Sequence, residues 1–284
     1  MTLQPTDLKY NFPKIIIISL SHAIERRNTL ARQLTGFGLD FDFLDAVDAH
    51  DLTDHDYGIY NRRRRRIFMG KDLYPGEIAC MLSHRKAMRR VATTDRPSVI
   101  LEDDVLLSTD WPYVIHALMA RQEEWEFVRF FGDEKHATRL QRKLVPLGRD
   151  YWLTRMSTSP GGAHAYLITP SGARRILHCL DYTATPIDTL MGQPWKTGLG
   201  ALSVWPGLAR ENGKFPSHIG NARFASAPTT TGLERTLYFA ANPGLRLVQN
   251  ILKRGFYYGH APSDHWHRHR HRVQAAPPSA PVQI

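Results

Sequence analysis

Three consecutive carboxylates stand directly after a short apolar run. Glu102, Asp103 and Asp104 follow residues 99–101 (Val-Ile-Leu), a pattern typical of a buried strand that ends in a charged loop. Carboxylates this close repel one another, and they are costly beside an apolar interior unless a cation compensates them. Mg²⁺ and Mn²⁺ prefer oxygen ligands and commonly bridge to substrate phosphates. The triplet indicates a metal–diphosphate site, with a plain acidic turn as the alternative.

Positive charge is concentrated in two segments. The formal net charge is +10. Five arginines run from Arg62 to Arg66, and residues 251–284 add Lys253, Arg254, Arg268, Arg270 and Arg272 against Asp264. Clustered positive charge binds polyanions such as nucleic acid, acidic lipid head groups or phosphorylated saccharide, and a solvated run without a function is the alternative.

The elements that must position the triplet alternate between strand and helix. Residues 14–20 predict a buried strand, and residues 25–36 predict a helix with Ile24, Leu30 and Leu34 on one side and Gly36 as its end. Residues 40–47 alternate polar and apolar, as a second strand would. Strand, helix and strand at this spacing form a βαβ unit, so we expect a parallel sheet.

The remaining chain predicts further helices and strands. Residues 49–74 are polar and basic, which favours an exposed loop or lid. Pro75 opens a helix through Val91, and residues 98–101 form the third strand. Further predictions, in chain order, are a helix at 111–120, a strand at 126–131, a polar connection at 133–150, a strand at 161–169, a helix from 170 and a last core strand at 201–205.

The ends of the chain and its cysteines suggest where the protein works. Residues 259–284 are His/Arg-rich and then Ala/Pro-rich, so we predict a disordered tail after a domain at 1–258. Cys80 and Cys179 lie in apolar helical patterns and are expected to be packed thiols. No basic and apolar leader precedes the first strand. A cytoplasmic protein, peripheral on the inner face of a membrane, fits these features.

Several segments together resemble glycosyltransferase family 25, the group of lipooligosaccharide galactosyltransferases and related collagen glycosyltransferases. They lie in family order across about residues 14–220. They are Ile17-Ile18-Ser19-Leu20 with Glu25-Arg26-Arg27, Asp45-Ala46-Val47-Asp48, the block from Pro75 to His84, residues 100–105, residues 162–168 with Gly172-Ala173, and Pro186-Ile187-Asp188.

The chain also departs from the family pattern. Ala79 stands where the family usually has glycine, and Ser217-His218-Ile219 stands where Ser-Asp-Ile is common. The second departure puts in doubt any role that the family's aspartate has there. The arginine run and the tail are not family features, so the resemblance does not explain them.

The resemblance implies an α/β fold, namely a GT-A-like nucleotide-sugar-binding sandwich with a mixed, mainly parallel sheet. It implies an inverting, metal-dependent hexosyltransferase that uses Mn²⁺ or Mg²⁺ and a UDP-sugar, typically UDP-galactose. The acceptor would be lipopolysaccharide, lipooligosaccharide or another cell-surface glycan. The arginine run and the tail would then hold the enzyme against an anionic membrane surface that carries a lipid-linked acceptor.

Candidate residues follow from the matched segments. Side chains two apart on an extended segment point the same way, so Glu102 and Asp104 can converge on a metal. His218 is a further candidate ligand, and Asp103 is a second ligand or a sugar contact. Asp188 matches a family position and is the candidate base for the acceptor hydroxyl. A helix N-cap, or a contact to metal or sugar, is its alternative.

Other residues are predicted to bind the donor. Arg26 and Arg27 follow the first strand and could pair with a diphosphate or be solvated helix charges. His84 shares a polar helix face with its neighbours or is a satisfied core histidine. Gly162 would let the backbone approach the sugar. The full predicted set for donor binding is Ser19, Arg26, Arg27, Asp45, Asp48, Glu77, Ser83, His84, Asp103 and Gly162.

Two other functions compete with glycosyl transfer. A metal-dependent phosphoesterase would also use an acidic cluster, but no second Asp/His cluster with two-metal spacing appears in the sequence. A basic polyanion-binding protein would use the arginine run. No helix-turn-helix or aromatic stacking motif accompanies that charge, so we expect no specific nucleic-acid binding.

Overall fold

An eight-stranded mixed sheet forms the centre of the computed structural model, which describes residues 12–130, 141–157, 162–181, 183–215 and 230–264. The strands are β1 Lys14–Ser19, β2 Asp42–Asp45, β3 Ser98–Glu102, β4 Val105–Leu107, β5 Phe127–Arg129, β6 Gln141–Gly148, β7 Tyr151–Met156, β8 Ala165–Ile168, β9 Leu202–Trp205 and β10 Ala209–Glu211. The order is β2-β1-β3-β8-β5-β9-β7-β6, and β4 pairs separately with β10. The predicted α/β class and mixed sheet are confirmed.

The described ranges contain nine α-helices, of which those predicted at 25–36, 75–91, 111–120 and from 170 lie within one residue of their expected limits. The nine helices are α1 Ile24–Gly36, α2 Asp54–Tyr57, α3 Arg62–Met69, α4 Pro75–Ala92, α5 Trp111–Met119, α6 Pro170–Leu180, α7 Ile187–Met191, α8 Pro194–Thr197 and α9 Gly232–Gly259. Pro75 opens α4 because its fixed φ suits a first helical position, and Glu77 accepts the Tyr74 backbone N–H at 2.9 Å. No helix within the described ranges is long and apolar enough to cross a membrane.

Helices cover both faces of the sheet. Along β1, Ile15 and Ile17 pack on one side and Ile16 and Ile18 on the other, and all four are buried. The first side is completed by α1 and α5 and the second by α4 and α6. Strands buried on both faces have continuous apolar sequences, which is why residues 14–20 have no polar alternation.

Some predicted elements were wrong. The expected loop at 49–74 contains a 3₁₀ turn, Ala49–Asp51, and the helices α2 and α3. Arginine is a good helix former, and Asn61 caps α3 by accepting the Arg64 backbone N–H at 2.9 Å. The expected connection at 133–150 contains β6, an edge strand with a weak apolar signal. Ile24 was expected to face the core and is instead exposed.

The region after residue 201 also differs from prediction. The strand β10, which was not predicted, follows β9 and pairs with β4, whereas residues 201–205 form the last strand of the eight-stranded sheet within the described residues, as predicted. The predicted tail starts at residue 259, yet Asp264 is only 1% exposed and accepts hydrogen bonds from Arg142 and Arg155. Asp264 thus attaches the chain to the edge strand β6 and its neighbour β7, and residues 265–284 lie outside the described residues.

Candidate active site

The carboxyl ends of β1, β2 and β3 meet at one edge of the sheet because these strands are parallel. Loops at this edge surround a cavity of about 400 Å³. Asp103 and Asp104 form the turn between β3 and β4. Since β8 runs antiparallel to β3, its amino end reaches the same edge, and the Glu102 N–H donates to the His164 carbonyl at 2.7 Å. The acidic triplet therefore lies beside His164, which directly precedes the antiparallel strand β8.

Glu102, Asp104 and His164 form a group that could hold a metal ion. One ligand atom from each lies within 4.8 Å of the other two. The predicted convergence of Glu102 and Asp104 is present, although a turn rather than an extended segment produces it. His164 lies 3.0 Å from Glu102 Oε2 through Nδ1 and 2.9 Å from Glu211 Oε1 through Nε2. The predicted ligand His218 lies outside the described residues.

Opposite charges and burial compete in this group. Burial and then the neighbouring Glu102 raise the pKa of Asp104 to about 6. Burial opposes ionisation of Glu102 and of His164, yet their mutual attraction outweighs it. The pKa of Glu102 is therefore lowered and that of His164 is raised well above its usual value. Within the described residues, buried Oδ1 of Asp104 has no hydrogen-bond partner.

Asp103 is held away from this group by two residues. Ser19 Oγ donates to Asp103 Oδ2 at 2.5 Å, and Arg26 Nη1 donates to Asp103 Oδ1 at 3.1 Å. Arg26 also lies 3.4 Å from Asp104 Oδ2. Arg26 was predicted to pair with a diphosphate or remain solvated. It is buried, and its guanidinium neutralises the acidic turn.

The helix α4 supplies two buried polar side chains to the cavity wall. His84 contacts Tyr166 Oη at 2.9 Å through Nδ1 and Glu102 Oε1 at 3.0 Å through Nε2. Ser83 Oγ accepts the Val47 N–H at 2.8 Å and so ties the loop after β2 to α4. His84 is therefore a satisfied buried histidine that also contacts a carboxylate of the cavity wall, and its role in donor binding stays a prediction. Glu77, predicted on the same face, is not part of the cavity wall and caps its helix.

The residues after β1 and β2 separate into cavity and surface positions. Arg27 donates to the Ser19 carbonyl at 3.0 Å and to Asp45 Oδ1 at 2.5 Å, and it braces the strand end from outside the cavity. Asp45 is exposed beside it. Asp48 lies on the cavity wall, where hydrogen bonds from the backbone N–H and side chain of His50 lower its pKa. Asp48 is the only one of these three that can reach a ligand in the cavity as it stands.

Gly162 and Asp188 do not line the cavity. Gly162 has φ 87°, a backbone conformation that favours glycine, two residues before His164. Asp188 lies in the first turn of α7, where Oδ1 accepts the Thr189 N–H at 2.6 Å. Arg129 donates to the Asp188 carbonyl at 2.9 Å. Burial lowers the pKa of Arg129 to about 10, although the nearby negative charge of Asp188 raises it in part.

The cavity thus brings together eight of the predicted residues: Ser19, Arg26, Asp48, Ser83, His84, Glu102, Asp103 and Asp104. Sequence reasoning missed His164 and Glu211 as site residues. The motif containing His164 was noticed, but its strand was not known to be antiparallel. Glu211 belongs to β10, which was not predicted, and Asn212 beside it donates its N–H to the Asp104 carbonyl at 2.7 Å.

Comparison with known proteins points to one family. A profile described as glycosyltransferase family 25 (LPS biosynthesis protein) matches residues 12–191. An Anopheles gambiae protein named a glycosyltransferase 25 family member is 28% identical over 184 residues, 60% of this chain and 29% of that protein. Procollagen galactosyltransferase 1-B of Xenopus laevis is 25% identical over 179 residues, again 60% and 29%. Human procollagen galactosyltransferase 2 is 25% identical over 147 residues, 49% and 23%. The match therefore spans less than a third of each relative.

Proposed function

Because the chain belongs to glycosyltransferase family 25, we propose that it is a metal-dependent, inverting hexosyltransferase. It would transfer galactose from UDP-galactose to a hydroxyl of lipopolysaccharide, lipooligosaccharide or another cell-surface glycan. The observation that carries the proposal is the group of Glu102, Asp104 and His164 at the carboxyl edge of β3, inside a cavity of about 400 Å³. In open α/β sheets this edge is where ligands bind.

The residues in this group suit a divalent cation. Asp104 keeps a buried carboxylate oxygen without a hydrogen-bond partner among the described residues. Carboxylate oxygens and imidazole are ligands that Mn²⁺ accepts. Glu102 and Asp104 would hold the ion with His164 beside them, and His218 remains a further candidate. When bound, Mn²⁺ or Mg²⁺ neutralises the charge that develops on the departing diphosphate.

The surrounding side chains position these ligands. His84 orients Glu102, and Ser19 with Arg26 fixes Asp103, so the turn at 103–104 keeps one shape. Arg26 would also meet the donor diphosphate at the cavity wall. Asp48 and Ser83 border the same space and would contact the nucleoside. The remaining predicted donor contacts, Arg27, Asp45, Glu77 and Gly162, would need a rearrangement to reach the cavity.

Removal of the metal is expected to abolish donor turnover. Protein treated with EDTA should release UDP from UDP-galactose no faster than a blank, and Mn²⁺ should restore release, because the diphosphate then loses its counter-charge. A panel of nucleotide sugars, each measured with and without Mn²⁺, identifies the donor. Full turnover in EDTA would contradict the metal site, and faster turnover of another sugar would contradict galactose.

Asp188→Asn is expected to lower sugar transfer by about 10²–10⁴-fold if Asp188 removes the acceptor proton. Hydrolysis of the donor by water and KM for UDP-galactose should change much less, since these do not need the same base in the same place. The comparison of transfer with hydrolysis is therefore the measurement. A lower Tm with normal transfer per folded molecule would leave Asp188 as a helix-capping residue only.

The acceptor and the cellular location are also proposals. The family description contains LPS biosynthesis, whereas the Xenopus laevis and human relatives are named for procollagen, so an acceptor screen should contain both a lipooligosaccharide and a procollagen peptide. We propose a cytoplasmic enzyme that meets an anionic membrane through the run from Arg62 to Arg66 and residues 259–284. The names of the relatives give no support to a phosphoesterase or to a polyanion-binding protein.

A further inference from the structure

The long helix α9 touches the rest of the protein along one narrow stripe. Asn242 Nδ2 donates to the Phe68 carbonyl of α3 at 3.1 Å, and Glu234 lies 3.6 Å from Arg66 of the same helix. Of its 28 residues, Tyr257 is the one that is fully buried against the described residues. Most of the helix surface therefore faces outward.

The outward surface of α9 carries an apolar lane. Its large members are exposed: Leu233, Leu237, Leu247, Val248, Ile251 and Tyr258. Their spacing follows the 3.6-residue period, so they lie along one side of the helix, and Ala240, Gly244 and Gly255 occupy the positions between them. Scattered exposed apolar residues are ordinary, but a continuous lane along about 40 Å of helix indicates a binding surface.

Most cations of α9 lie on the side of the helix opposite the apolar lane. At 100° per residue, Arg254 flanks the lane, whereas Arg235, Arg246 and Lys253 lie on the opposite side, and Glu234 is the single acidic residue of the helix. The neighbouring helix α3 adds the exposed Arg62, Arg63 and Arg64, of which Arg62 pairs with Asp72 at 2.9 Å. Two features far apart in the sequence, the arginine run and the apolar lane, thus lie on helices that pack against each other.

We propose that α9 lies flat on an anionic lipid surface, with the apolar lane in the acyl boundary, Arg254 beside it among the head groups, and the other cations of α9 and α3 adding attraction to the charged surface. An apolar side with basic residues on the polar side is the composition of interfacial helices. Basic residues near an acidic leaflet are attracted to it. This inference deepens the membrane contact of the proposed function, because it replaces a purely electrostatic contact with an inserted helix.

A second copy of the chain suits this surface less well. In a twofold dimer the same patch meets itself, so packing of two α9 lanes would join two helices that each carry more basic than acidic residues. Glu234 is the one acidic residue in α9 or α3, and it already lies beside Arg66. Like charges repel, whereas an acidic lipid surface supplies the missing anions. Charge therefore favours lipid over self-association.

Vesicle co-sedimentation with two matched variants tests the proposal. Ile251 in the apolar lane and Ile24 at the start of α1 are both 59% exposed, so Ile251→Glu and Ile24→Glu make the same chemical change on different helices. The probe is phosphatidylcholine vesicles with about a third phosphatidylserine. We expect Ile251→Glu to weaken binding about tenfold and Ile24→Glu to leave it within about twofold, with unchanged circular dichroism for both.

Each outcome decides the question. If Ile251→Glu binds the vesicles as tightly as the wild-type protein, or if both variants lose the same amount of binding, insertion of α9 is overturned. If the wild-type protein binds vesicles of pure phosphatidylcholine as tightly as vesicles with phosphatidylserine, the role of the cations is overturned. A dimer of the wild-type chain that Ile251→Glu converts to a monomer, without vesicle binding, would identify a second copy as the partner. Release of UDP from UDP-galactose is measured without lipid, so failure of this proposal and failure of the proposed activity are separate results.

Discussion

Asp104→Asn is expected to lower kcat/KM for sugar transfer by about 10²–10³-fold, which corresponds to about 3–4 kcal/mol of lost charge stabilisation. The physical reason is that Asp104 offers a buried carboxylate oxygen with no partner in the described part of the chain, next to Glu102 and His164. An amide keeps the shape of the side chain and removes the negative charge that a divalent cation needs. The measurement is transfer from UDP-galactose at saturating Mn²⁺.

Although Asp104→Asn should lose activity, it should be more stable than the wild-type protein in the absence of metal. Burial and Glu102 raise the pKa of Asp104 to about 6, so the folded protein disfavours the ionised form. In EDTA at pH 7.5, Asp104→Asn should therefore increase the free energy of unfolding by about 1–2 kcal/mol. The gain should shrink as pH falls through about 6 and vanish below the ordinary carboxyl pKa of 3.8. Chemical denaturation at several pH values measures it.

Addition of Mn²⁺ separates a metal ligand from a structural acid. Mn²⁺ should raise the Tm of the wild-type protein, because a ligand that binds only the folded state stabilises it, and should raise the Tm of Asp104→Asn much less. Full activity of the variant, or an equal thermal response to Mn²⁺ in both proteins, would show that Asp104 does not hold the ion.

Asp264→Asn is expected to destabilise the fold by about 3–5 kcal/mol, or to lower Tm by about 6–15 °C. Asp264 is 1% exposed and pairs with Arg142 and Arg155, both of which are mostly buried. Loss of its charge leaves two buried guanidinium groups without their counter-charge. Arg142 also donates to the Tyr257 carbonyl at 3.3 Å, so the same change loosens the end of α9.

A surface ion pair provides the matched control for this prediction. Asp181 is exposed and accepts a hydrogen bond from Arg85 at 2.7 Å. The same substitution there, Asp181→Asn, should cost at most about 1 kcal/mol, because water screens an exposed pair. Both free energies come from denaturant unfolding followed by circular dichroism. If Asp264→Asn unfolds at the same denaturant concentration as the wild-type protein, the ion pairs of Asp264 contribute nothing to stability.

Much of the fold was predictable where local pattern and burial coincide. Residues 14–20 and 98–101 are apolar without alternation because both faces of β1 and β3 are covered, and those strands appear as predicted. Pro75 acts through its own backbone preference, so the start of α4 was also predictable. Helix α1 ends at Gly36 as predicted, although the left-handed backbone that favours glycine lies at Gly38, with φ 70°. Helix α3 was missed because a run of charges has no apolar period, although its residues favour helix.

The sequence by itself determined that a strand ends in three carboxylates, and the family motifs predicted a donor-binding site there. Only the tertiary structure decided what surrounds them. The antiparallel direction of β8 places His164 beside Glu102. Arg26 pairs with Asp103, although the two residues are 77 positions apart in the sequence. The packing of α9 on α3 places an apolar lane beside the arginine run. Local patterns encode periodicity and burial, whereas strand direction and helix docking depend on contacts between distant segments, which single-sequence patterns do not contain.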